Sequence, residues 1–159
     1  MNREYREAMK LANQLCFPLY AAARNVTALY TPLLKPLGLT YTQYIVFLVL
    51  WEEDGISVTD IGEKLMLDNG TLSPLLKKLE HAGYIIRQRS REDERVVAIT
   101  LTEAGKALQE RAKDIPFRAG SCIDLAPEKA QALYALLYEL LDRQKEKETK
   151  GESENENSL

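Results

Sequence analysis

Histidine and cysteine are nearly absent from this chain: among 159 residues there is one His, His81, and two Cys, Cys16 and Cys122. The cysteines lie far apart and form no CxxC or Cys/His cluster, so no metal site is expected, and nothing in the chain asks for a cofactor. No run of about 18 apolar residues occurs, which removes a membrane span. The first residues, MNREYREAMK, are charged and polar and lack the apolar core of a signal peptide, so a cytoplasmic location is expected. No recognisable catalytic constellation surrounds either thiol, and an enzyme is not expected. Positive charge is also in short supply, with 21 Lys and Arg against 24 Asp and Glu, a net charge of −3. An apolar share of 45% and a charged share of 28% are those of an ordinary globular protein, long enough for one domain or for a small domain with dimerisation arms.

What is present centres on residues 68–101. Leu72, Leu75, Leu76 and Leu79 recur at helical spacing and define one apolar stripe, while the opposite side carries Thr71, Ser73, Lys77 and Lys78. Gly83 closes that helix as a C-cap. Two β-rich runs follow, 84–89 and 96–101; in the second, Val97, Ile99 and Leu101 share one face. The residues between them, 90–95, contain no apolar side chain. A helix with a donor-rich outer face followed by a hairpin with an arginine-bearing tip is the layout of a winged helix-turn-helix. The helix is placed to enter a major groove and the hairpin the adjacent minor groove. The net charge does not oppose this. Residues 151–159 hold three Glu and no basic residue, and without them the balance moves from −3 to 0. Between Thr71 and Thr100, six basic residues (Lys77, Lys78, Arg87, Arg89, Arg91, Arg95) face four acidic ones. Local distribution, more than the total, governs phosphate contact.

Elsewhere the pattern is helical. Residues 4–34 read as one long helix, kinked or restarted at Pro18. Thr40 with Gln43 and Ser57 with Asp60 form two capping boxes. The first opens a helix, 44–51, that is apolar nearly all round and is expected to be the most buried. Another helix follows the hairpin from Thr102 to about Ile115, and a last one starts at Pro127 with a leucine stripe. The fold class is mainly α with a small β-hairpin wing. Residues 38–101 form the expected DNA-binding unit, flanked by a helical dimerisation region, 1–37 and 102–145, and a disordered polar tail, 146–159. Long apolar helices at both ends point to a two-fold dimer reading a pseudo-palindromic operator.

With those residues in view, the chain resembles the MarR family of winged-helix repressors over roughly residues 5–145. Leu72-Ser73-Pro74-Leu75-Leu76-Lys77-Lys78-Leu79-Glu80, Asp93-Glu94-Arg95 and Leu101-Thr102-Glu103-Ala104-Gly105 carry the likeness. It implies a homodimer on double-stranded DNA, with Pro74 in the recognition helix, Arg95 in the minor groove and Asp93 holding the wing in shape. A narrower likeness lies in Asn13-Gln14-Leu15-Cys16-Phe17-Pro18-Leu19-Tyr20, which is similar to the organic hydroperoxide resistance regulators of that family. This implies that Cys16 is oxidised by an organic hydroperoxide, with Tyr20, Tyr30 and Tyr41 hydrogen-bonding in the sensor pocket. It further implies that Cys122 of the partner condenses with oxidised Cys16 to a disulfide, although some members use a small thiol instead. Helix geometry agrees in part. Tyr20 is one turn beyond Cys16. Tyr30 returns to within about 40° of the same face but roughly 21 Å along the axis, so only a partner's sulfur is in its reach.

The plainer readings are an inert core Cys16, tyrosines that merely pack, a solvent-exposed Cys122, and a His81 that satisfies helix-end carbonyls. Rival functions are a MarR-type repressor released by a non-covalent aromatic or phenolic ligand, a thiol peroxidase on this scaffold, and a winged-helix module that binds only protein.

Overall fold

The structure, a computed structural model, describes residues 2–89 and 96–156, with side chains to residue 143 in the last helix. It divides into two compact units, Met1–Cys122 and Ile123–Leu159.

The first unit is built on α4 (Tyr41–Glu52), whose Tyr44, Val46, Phe47, Val49 and Leu50 are buried. Its start is fixed as the sequence predicts: Gln43 N donates to Thr40 Oγ1 at 3.3 Å and Thr40 N donates to Gln43 Oε1 at 2.9 Å. The second capping box opens α5 (Val58–Leu65), where Asp60 N donates to Ser57 Oγ at 3.0 Å. A turn through Met66, in the left-handed region at φ 53°, leads to α6 (Asn69–His81). Leu72, Leu76 and Leu79 of α6 lie in the core with Leu34, Ile61, Ile85, Ile99 and Leu108. Asp68 caps α6, accepting from Thr71 N at 2.8 Å. That cap draws the helix start back to Asn69, so Gly70 belongs to its first turn and not to the preceding turn.

Three strands form one sheet in the order β1-β3-β2: β1 (Ile56–Ser57), β2 (Ile85–Arg89) and β3 (Val97–Leu101), all pairings antiparallel. The alternation expected of β3 holds, with Ile99 and Leu101 buried. Strand β1 is an addition that sequence periodicity does not show, being only two residues long. It is pinned from both sides of the chain, since Leu101 N donates to Asp54 Oδ1 at 2.8 Å and Gly55 N to Ile99 O at 3.0 Å.

Helices α7 (Glu103–Ala112) and α8 (Ile115–Ser121) complete this unit. In the expected helix 4–34, the chain instead forms α1 (Arg3–Ala8), a 3-10 turn at Leu11–Asn13, α2 (Cys16–Leu29) and α3 (Thr31–Leu34). The restart falls at Cys16, not Pro18. Asn13 Nδ2 donates to Glu7 O at 2.7 Å and Gln14 Nε2 donates to Ala8 O, which folds the link back on α1. Pro18 is then the third residue of α2, where its missing N–H has no helical partner to lose. In the second unit, α9 spans Pro127–Glu156. Residues 146–156 continue this helix where composition suggests a disordered tail, because the Gln, Lys and Glu that lead into them are good helix formers.

Among the described residues no single helix is long and apolar enough to cross a membrane. Cys16–Leu37 and Tyr41–Glu52 reach that composition only as a pair bent by 74°, and the second of them is the core helix.

The Leu101-Thr102-Glu103-Ala104-Gly105 stretch has a structural reason. Thr102 Oγ1 donates to Gly83 O at 2.7 Å and accepts from Gly105 N at 3.1 Å, tying the wing root to α7. A Cβ on Gly105 would lie 2.2 Å from the Tyr84 carbonyl oxygen and 3.0 Å from Leu101 Cδ2. Gly105→Ala is therefore expected to destabilise by about 1–3 kcal/mol, the cost of overpacking, although Ala is the better helix former. The urea midpoint reads it, and an unchanged or raised midpoint would contradict the close approach.

Candidate nucleic-acid interface and thiol site

Helix α6 buries Leu72, Leu76 and Leu79 and turns Thr71, Pro74, Lys77 and Lys78 outward, with Ser73 and Leu75 half-buried. The two lysines stand exposed on the outward side, as an interface to phosphate requires. Thr71 differs from expectation in one respect. Its hydroxyl donates to Asp68 Oδ2 at 2.8 Å, so towards an outside group it offers lone pairs and no proton. The same bonds from the Thr71 hydroxyl and backbone hold the Asp68 carboxyl below the usual carboxylate range. On β2, Arg87 and Arg89 fall on the face of Ile85, opposite Ile99 and Val97 of β3. Arg87 is half-buried there, and its Nε has no hydrogen-bond partner among the described residues. Arg89, farther out along the strand, is exposed. Arg91, Asp93 and Arg95 of the hairpin tip lie outside the described residues.

The residues expected in the sensor pocket fall into two places. Cys16 is the exposed first residue of α2, with no side chain capping the helix start. Tyr20, one turn on, is exposed and carries the Arg24 guanidinium over its ring at 5.7 Å. Tyr30 and Tyr41 are brought together at the other end of α2, ring centroids 4.9 Å apart and edge-on. Tyr44, which sequence spacing alone does not single out, joins them at 6.0 Å from Tyr30. Fourteen residues of rise, about 21 Å, separate Cys16 from Tyr30 along the helix. The structure thus brings Tyr30 and Tyr41 together and leaves Cys16 and Tyr20 apart from them within one chain. Cys122 caps the end of α8, exposed, with its thiol donating to Arg118 O at 3.3 Å.

Exposed apolar residues concentrate in the same regions. Leu11, Leu15, Phe17, Leu19 and Phe117 are exposed in the first unit, Leu15 and Phe117 each at 80%. In the second unit, Leu133, Leu136 and Leu140 are exposed, beside Tyr134 and Tyr138 at 4.6 Å from each other.

This architecture, a core helix carrying a helix-turn-helix and a three-stranded wing, is that of the MarR-type winged-helix regulators. The family of SarA/Rot transcriptional regulators matches residues 28–112. The organic hydroperoxide resistance transcriptional regulator of Bacillus subtilis is 50% identical over 137 residues, covering 84% of this chain and 91% of that protein. The structure of reduced AbfR bound to DNA, from Staphylococcus epidermidis, superposes with a TM-score of 0.73 at 36% identity, covering 90% of this chain and 99% of that one. The disulfide-formed AbfR gives 0.60 at 38% identity, covering 89% and 99%. The chain belongs to the MarR-type SarA/Rot transcriptional regulators, in the organic hydroperoxide resistance regulator branch, and is a regulator and not an enzyme.

Burial, followed by the neighbouring Tyr30, raises the pKa of both Tyr41 and Tyr44 above the ordinary tyrosine value. A raised folded-state value means that the native state holds these protons more tightly than the unfolded chain. The stability they contribute is complete below about pH 10 and is lost as pH climbs through the folded values. Titrating tyrosinate absorbance is expected to show a late component that disappears in Tyr41→Phe/Tyr44→Phe. A double variant with the wild-type curve would contradict it.

Proposed function

We propose that the chain is a homodimeric, cytoplasmic repressor that holds a pseudo-palindromic operator while Cys16 is reduced and releases it when an organic hydroperoxide oxidises Cys16. The observation that carries this is that α2 sets Cys16 at one end and Tyr30, packed on Tyr41 of α4, at the other. An antiparallel second copy brings the sulfur of one protomer to the tyrosines of the other. The 50% identity to a regulator of organic hydroperoxide resistance and the likeness to a regulator seen both on DNA and as a disulfide support the same reading.

In this assignment residues 38–101 read DNA. Thr71, Ser73, Pro74, Lys77 and Lys78 face the major groove. Arg89, Arg91 and Arg95 of the wing reach towards phosphates and the minor groove, with Asp93 shaping the turn, while Arg87 contributes from the wing's inner face. Residues 1–37 and 102–145 form the dimerisation region, whose exposed leucines a second copy covers. Leu15, Phe17 and Leu19 around Cys16 suit the hydrocarbon part of an organic hydroperoxide better than hydrogen peroxide.

The chemistry is a nucleophilic displacement. The Cys16 thiolate attacks the terminal peroxide oxygen, the O–O bond breaks, and the alkoxide leaves as alcohol after taking a proton, giving a sulfenic acid. The Cys122 thiol of the partner subunit then attacks that sulfur and water leaves, forming an intersubunit disulfide. Two recognition helices joined this way no longer match successive major grooves.

Operator binding by gel shift tests this with one equivalent of cumene hydroperoxide, then dithiothreitol, beside non-reducing electrophoresis. Wild type is expected to release and rebind the operator, with a dimer-sized covalent band. Cys16→Ser holds the operator throughout, and Cys122→Ser lacks the band. Release in Cys16→Ser would overturn the thiol mechanism. Wild-type binding that ignores peroxide would favour release by a bound aromatic ligand.

A further inference from the structure

Helix α4 places Tyr41, Tyr44, Phe47 and Trp51 at spacings of three, three and four, one continuous side of the helix about 15 Å long. Their rings form an unbroken chain of contacts. At one end Tyr30 meets Tyr41 at 4.9 Å and Tyr44 at 6.0 Å. Tyr44 lies edge-on to Trp51 at 6.3 Å, Trp51 stacks on Phe47 at 5.3 Å, and Phe47 meets Tyr84 edge-on at 5.8 Å.

The other end is the root of the wing. Trp51 Nε1 donates to the Gly105 carbonyl at 3.1 Å. Gly105 rests against the Tyr84 carbonyl so closely that no side chain fits between them. Tyr84 in turn accepts from Thr102 N at 3.0 Å and donates its own N–H to Leu79 O of α6 at 3.1 Å. The rings that start beside the sensor tyrosines therefore finish where the recognition helix, the first long wing strand and α7 converge.

We propose that Trp51 is a positioning residue that couples the state of the sensor tyrosines to the wing and recognition helix. The inference rests on the hydroperoxide-sensing reading above. While the partner's Cys16 is reduced, Tyr30 and Tyr41 are held by its sulfur. Oxidation removes that hold, and in a close-packed interior the rings beside them repack as a set. Trp51 carries the displacement to Gly105 through a directional hydrogen bond, which a stacked ring alone does not supply. Coupling of this kind is established only by a measured dependence between the two ends.

Trp51 is the single tryptophan of the chain, so its fluorescence reports this position alone. Full-length protein without DNA is titrated with cumene hydroperoxide, wild type beside Cys16→Ser. The expected result is an emission shift in wild type that saturates at one equivalent, reverses with dithiothreitol and is absent from Cys16→Ser. In parallel, Trp51→Phe keeps the stacked ring and removes the donor. It is expected to bind the operator within about threefold of wild type when reduced, and to lose Cys16 thiol to peroxide at the wild-type rate. Its oxidised-to-reduced affinity difference shrinks by about tenfold, within the usual range of coupling between sites. A merely structural role would lower both affinities together and leave their ratio alone. Wild type that releases its operator with no change in emission overturns the proposal, as does Trp51→Phe that releases as completely as wild type. If Trp51→Phe does not fold, the fluorescence comparison decides alone. Wild type that keeps its operator in peroxide overturns the sensing reading itself, and this proposal with it.

Discussion

Burial of α4 is the constraint that the described core depends on. Tyr44, Val46, Phe47, Val49 and Leu50 leave the helix no broad face for water, so it must be surrounded. It touches α3, α5 and α7, and its buried residues share one cluster with those of α6 and the sheet. The elements that could face DNA and those that could sense a chemical signal are therefore laid on the same support. A change in how one side packs has a direct physical route to the other, because cores are dense and respond as units.

A second constraint follows from the rigidity of α2. Its pitch carries Tyr30 away from Cys16 by about 21 Å, and nothing in a helix can fold that distance back. Meanwhile α2 and α9 expose leucines and aromatic rings that an isolated chain would leave in water. Both facts are met at once by a second copy lying antiparallel. In the proposed function the thiol and the tyrosines are two halves of a site that neither protomer holds alone, and dimerisation is a condition for sensing.

Much of the fold is legible in the sequence. Thr40 with Gln43 and Ser57 with Asp60 announced two helix starts, and both boxes are present with both bonds made. The alternation of Val97, Ile99 and Leu101 gave the buried face of β3. Local patterns encode local structure. What escapes them depends on residues distant in the chain or on side chains bonding to backbone. Strand β1 exists because Asp54 and Gly55 meet residues more than forty positions away. The break before Cys16 comes from Asn13 and Gln14 reaching back six residues, a bond no periodicity records. Thr71 reads as an outward donor from its place on the helix, but its hydroxyl donates to Asp68. Arg87 shares the face of Ile85 by its spacing of two, a position that its charge alone does not suggest.

The shared site is tested most directly with a mixed dimer in which one protomer carries Cys16→Ser and the other carries Tyr30→Phe/Tyr41→Phe. If each pocket combines the thiol of one protomer with the tyrosines of the other, one pocket in this dimer is wholly wild type. The single Cys16 left in it is expected to react with cumene hydroperoxide at the wild-type rate. A Cys16 that reacts only at the slow rate of the Tyr30→Phe/Tyr41→Phe homodimer would mean that each chain supplies its own tyrosines, and would contradict the account.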